Sequence, residues 1–137
     1  MKEFTEIDIQ RIEEIIDSQQ SEAAREEIRE LHPADIAELF QSLNLRQAEW
    51  LFNLIDDKEK RADVLVELDE EDRKKLLEGM DPEQIGHFID LLDTDDAVDL
   101  IQELDKEDRD EVIQNIEDVE QAGDIVDLLQ YLSLIHI

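Results

Sequence analysis

Apolar residues return along this chain with a period of twelve. Leu65, Leu77, Ile89, Ile101, Ile113 and Ile125 form one column, and Leu68, Met80, Leu92, Leu104 and Ile116 form a second. Each member of the second column is followed by an acidic residue, Asp69, Asp81, Asp93, Asp105 and Glu117, with Asp57 opening that series. Self-similarity at a fixed period is the signature of a repeat architecture. Within a unit the apolar residues fall at i, i+3, i+4 and i+7, the spacing of an amphipathic helix, and strand-like alternation is absent. The predicted fold is all-α, a stack of short helices in roughly 12-residue units.

The acidic column predicts the helix starts. An aspartate before an apolar-periodic run can accept a hydrogen bond from the second or third helical amide. Asp69, Asp81 and Asp105 are expected to cap in this way, with Asp72, Gln84 and Asp108 in the reciprocal capping-box place, and Pro82 suits the first helical position. Asp93 with Asp96, and Glu117 with Glu120, repeat the spacing. Upstream of the repeats, a first helix is expected to start at Thr5, with Asp8 reaching back, and to bury Phe4, Ile12, Ile15 and Ile16, with Ile7 or Ile9 alongside. After a turn at 18–21, a second helix from Ser21 buries Ala24, Ile28 and Leu31. A third runs from Pro33 to Leu43, and a fourth from Leu45 to Ile55, with Trp50 and Phe52 in the core. Helices this short are marginal alone, so they persist by burying their stripes against neighbours.

Charge changes the picture more than length does. Among 137 residues, 41 acidic against 13 basic give a formal charge of -28, yet 41% of the chain is apolar and periodic, which argues for a folded domain. Nucleic acid is excluded as a partner because no basic stripe exists, and an anionic membrane surface would repel the chain. The absence of cysteine excludes disulfides and thiolate metal sites. No apolar stretch approaches the roughly 20 residues of a membrane helix, and the N-terminus lacks the apolar core of a signal peptide. The chain reads as cytoplasmic.

Capping does not account for the density of carboxylates. Between Asp93 and Glu120 thirteen acidic residues face only Lys106 and Arg109. Asp95 and Asp99 stand four apart on one helix face, where like charges cost roughly 0.2–0.5 kcal/mol. Oxygen donors without sulfur or imidazole suit magnesium or calcium. An EF-hand loop from Asp93 fails, since Val98 stands where glycine is required and Leu104 where glutamate is required. His32, His87 and His136 have no metal-pair spacing; His32 reads as a helix-start residue and His87, beside Phe88, as a packing residue. With no glycine-rich phosphate loop and no nucleophile elbow, the chain is not read as an enzyme.

The segment L-H-P-A-D-I-A-E-L-F, Leu31 to Phe40, resembles the head of the cytoplasmic N domain of MgtE magnesium transporters. The units E-E-D-R-K-K-L-L-E-G-M-D and T-D-D-A-V-D-L-I-Q-E-L-D resemble that domain's repeats in order and length. The resemblance implies a right-handed superhelical solenoid over residues 31–131, preceded by N-terminal helices over 1–30. It implies a magnesium-sensing regulatory domain of a membrane transporter or channel, gating the pore through acidic contacts with CBS domains of the same chain in a full-length homodimer. It places the metal-facing carboxylates at Asp95, Asp99 and Asp63, with Mg2+ as a regulatory ion held weakly by this domain alone, and no direct membrane contact. Asp96 is set aside because its capping-box place gives it another task. Beyond Tyr131 the chain departs from the family: L-S-L-I-H-I, residues 132–137, matches a reading frame of a transposon-end adaptor and is expected to be a non-native tail. The alternative is a helical protein-interaction scaffold resembling the FliG middle domain.

Overall fold

Aspartate and asparagine at the helix starts punctuate the chain, and the helices follow at the spacing those residues set. The structure is a computed structural model that describes residues 6–135, apart from the Ile7 side chain. Thr5 and Phe4 lie outside the described residues. Ten helices and no strand occur among them: α1 Glu6–Asp17, α2 Ser21–Arg29, α3 Pro33–Phe40, α4 Leu45–Asn53, α5 Lys58–Glu67, α6 Glu70–Glu78, α7 Pro82–Asp90, α8 Thr94–Gln102, α9 Lys106–Gln114 and α10 Val119–Ile135. The all-α class and the twelve-residue unit are therefore what the chain adopts. None of these helices is long and apolar enough to cross a membrane.

The chain divides into two compact units, Met1–Leu76 and Leu77–Ile137. In the first, α1 packs on α2 and α4, and α3 on α5. Its core holds Ile12, Ile16, Ile28, Ile36, Leu39, Leu51, Phe52 and Leu65, all buried. In the second, α7 packs on α9 and α8 on α10, each helix meeting the next but one. Ile89, Ile101, Val112 and Ile125 form its centre. Of the repeating columns, Ile113, Met80 and Leu104 are only half-buried.

Side-chain capping holds at some units and fails at others. Asp81 and Gln84 make the full reciprocal box, as do Asn44 and Gln47. Asp57 accepts from the Glu59 amide and Asp69 from the Asp72 amide, each at 2.9 Å. Asp93 and Asp105 occupy the N-cap position, but neither side chain accepts a helical amide, which corrects the expectation for Asp105. At the last unit the cap moves by one residue. Asp118, not Glu117, accepts from the amides of Glu120 and Gln121. The amides of Glu117 and Asp118 donate instead to the Asp90 carboxylate at the end of α7, which fixes the start of α10.

Other boundaries follow from local geometry. Helix α3 stops at Phe40, because the amides of Ser42 and Leu43 bond to the third carbonyl back and tighten the turn. The same tightening at Leu54 and Ile55 ends α4 at Asn53. Trp50 is half-buried, against expectation, while Phe52 is only 2% exposed. Two residues on a helix point about 200° apart, so they cannot both face one core. His87 likewise faces solvent, 3.9 Å from Glu83, and does not pack. Leu132 to Ile135 continue α10 as one helix, and His136 lies outside the described residues.

Burial, and then the negative Asp69, hold the Asp72 carboxyl above its ordinary value, with Lys75 pulling the other way. A carboxyl whose pKa is raised by folding favours the fold when protonated. Stability is therefore gained as pH falls through the raised value and lost as pH climbs past it. Asp72→Asn should raise the melting temperature at pH 7 and change it little in acid below that pKa, in thermal scans at the two pH values.

Candidate cation-binding surface

Helix α8 begins with the sequence T-D-D-A-V-D, and its apolar residues decide where the carboxylates go. Ala97, Val98, Leu100 and Ile101 are buried, so Asp95 and Asp99, one turn apart, are left on the exposed face. Neither makes a hydrogen bond or ion pair among the described residues. The helix is anchored by Thr94, whose hydroxyl donates to Gln121 at 3.0 Å, while the Gln121 amide donates to the Leu92 carbonyl at 2.8 Å. Because Asp93 accepts no helical amide, Asp96 is not drawn into a capping box. The reason for setting Asp96 aside does not hold. Four carboxylates within two turns thus keep their lone pairs for solvent or a cation.

Asp63 is exposed on α5, in the other compact unit, between buried Ala62 and Val64. Asp95 and Asp99 share a helix face, whereas Asp63 lies in the first compact unit. Among the described residues no three His, Asp or Glu side chains converge to hold a metal. The donor set on α8 fits a hard divalent ion that keeps most of its water and takes one or two carboxylates. It does not fit a cage.

Three arginines of this chain reach backbone carbonyls. Arg61, Arg73 and Arg109 each stand four residues after the unit aspartates Asp57, Asp69 and Asp105. Each reaches back to carbonyls at or just past the end of a preceding helix, where the helical ladder no longer supplies donors. Arg61 donates to Ile55 and Asn53 at 2.6 and 2.9 Å, and lies 6.0 Å from the Phe52 ring centre. Arg73 donates to Leu65, Val66 and Leu68 at 3.0, 3.2 and 2.9 Å. Arg109 reaches Leu104 at 3.4 Å. At the same register α7 and α8 carry Ile85 and Ala97, both buried. This column was missed in the sequence, although its spacing of 12 and 36 residues was the signal that could have found it. A further acid, Asp35, is buried at 3% exposure on α3 and has a partner there, which no charge pattern foretells.

Residues 31–133 match the model of the MgtE intracellular N domain family. The match runs two residues past Tyr131. No curated protein matches the chain. Among solved structures, the chain is similar to the soluble part of a magnesium transporter, with a TM-score of 0.74 and 29% identity, covering 90% of this chain and 48% of that one. The chain spans about half the length of that structure.

Proposed function

This chain belongs to the MgtE intracellular N domain family, and on that premise we propose that it is the magnesium-sensing module of a magnesium transporter. Mg2+ is the regulatory ion, and Asp95, Asp99 and Asp63 are the carboxylates this chain offers to it. CBS domains of the same full-length protein supply the facing ligands, in a homodimer whose sensing modules lie on the cytoplasmic side. With magnesium abundant, the ion bridges acidic surfaces and the pore stays closed. When magnesium falls, like charges on those surfaces repel, the domains part and the pore opens. The module regulates; it neither conducts the ion nor catalyses a reaction.

The observation that carries this reading is the Asp95–Asp99 pair: exposed, one helical turn apart and without a donor, on a chain of charge -28. A divalent ion relieves such a pair more than monovalent salt does, because screening acts on all surface charges alike. Magnesium chloride should therefore raise the melting temperature by a few degrees beyond sodium chloride of equal ionic strength, at a concentration roughly ten times Kd. Asp95→Asn with Asp99→Asn should remove that excess. Equal shifts from both salts, or an excess that survives the double substitution, would rule these two residues out as the ligands.

A further inference from the structure

In a chain this acidic, one pocket is lined by more cations than carboxylates. It has a volume of about 270 Å³ and lies in the first compact unit, where Arg25, Arg29 and Lys60 surround a floor of Ile28, Leu54 and Ile55. The carboxylates along it are Asp56 and Asp57, and Glu22 reaches Arg25 from outside it. Asp57 is occupied by the Glu59 amide at the start of α5. Asp56 stands 3.5 Å from Arg25 Nε, yet that buried nitrogen has no hydrogen-bond acceptor among the described residues. Lys60 donates to the Ile28 carbonyl at 2.9 Å, which uses one of the three hydrogens on its ammonium. Arg29 is exposed and makes no hydrogen bond or ion pair among the described residues.

Lys60 is the one of these cations that bonds a carbonyl at the end of α2 among the described residues. Arg29 and two of the Lys60 ammonium hydrogens are left over. We infer that this pocket is an oxyanion site that takes a phosphate group. Asp56 and Asp57 repel any anion in proportion to its charge, so the occupant must gain by its number of contacts, and a carboxylate has only two oxygens to share among three cations. Phosphate carries close to two negative charges and several acceptor oxygens, so it can engage a guanidinium in bidentate fashion and an ammonium at once. The three apolar residues beneath exclude water from one side, which strengthens those contacts.

The test is a titration of the isotope-labelled 137-residue chain with inorganic phosphate, followed by NMR, against sodium chloride of equal ionic strength. Saturable shifts should centre on Arg25, Arg29 and Lys60. Arg29→Gln, at an exposed position, should weaken them by about five- to tenfold. Lys58→Gln removes a nearby cation that does not line the pocket and should leave them unchanged. Shifts that match those in sodium chloride, or that fall equally in the two variants, would overturn the site in favour of diffuse screening. A response confined to a parallel titration with a glutamate-rich peptide would overturn it in favour of a protein-docking surface. None of these readouts involves magnesium, so the outcome is independent of the sensing function.

Discussion

Gly86→Ala lowers the stability of the chain by up to about 2 kcal/mol, the balance of an overpacking penalty of about 1–3 kcal/mol against the roughly 1 kcal/mol that alanine gains in a helix. A methyl group at Gly86 would sit 2.9 Å from the Asn115 carbonyl oxygen and 3.1 Å from its carbonyl carbon. Those atoms are backbone at the end of α9, so no rotamer change relieves the clash, and α7 and α9 must move apart. The contrast is Gly123, also helical, where an added methyl meets nothing within 4 Å. Gly123→Ala should stabilise by about 1 kcal/mol. Thermal or urea unfolding of the two variants reads opposite signs from the same chemical change. Equal signs would mean that the close approach of α7 to α9 does not constrain this fold.

Arg73→Met is expected to cost more, about 2–4 kcal/mol, because it leaves the carbonyls at the end of α5 without their charged donor while keeping most of the aliphatic stem. Three acceptors, Leu65, Val66 and Leu68, converge on one Arg73 nitrogen. Lys74→Met, at an exposed neighbouring position, should stay within about 0.5 kcal/mol of the parent. Arg73→Lys should recover only part of the loss, since a point charge on a flexible stem cannot reproduce the planar fork. Urea denaturation of the three variants separates the tie from the simple removal of charge. If Arg73→Met and Lys74→Met lost equal amounts, the carbonyl contacts would carry no weight.

Much of this architecture was legible because capping chemistry and helical periodicity report on the same twelve-residue unit. Asp69 and Asp81 announced their helices, and the buried column from Leu65 to Ile101 named the core. The reading failed where a side chain had two possible tasks. Asp118 and Glu117 are both able to cap, and the choice between them is made by Asp90, 27 residues away, which takes the Glu117 amide. Hydrophobicity alone points Trp50 to the core, although Ala48, Leu51 and Phe52 fix which face of α4 is buried. The arginine column went unseen because the same positions in α7 and α8 are apolar, so the register looked unremarkable until the carbonyls it serves were located. The exposure of Asp95, Asp99 and Asp63 followed from the buried residues beside them. Which carboxylates share an ion depends on surfaces that twelve-residue periodicity does not encode.

The arginine ties have a consequence for behaviour in acid. A guanidinium keeps its proton at every pH a cell meets, and backbone carbonyls do not titrate, so these fastenings are blind to pH. The outer coat of carboxylates is not. As the medium sours, the exterior discharges while the arginine stitches behind α4, α5 and α8 stay in place, and the molecule loses its self-repulsion before it loses those seams.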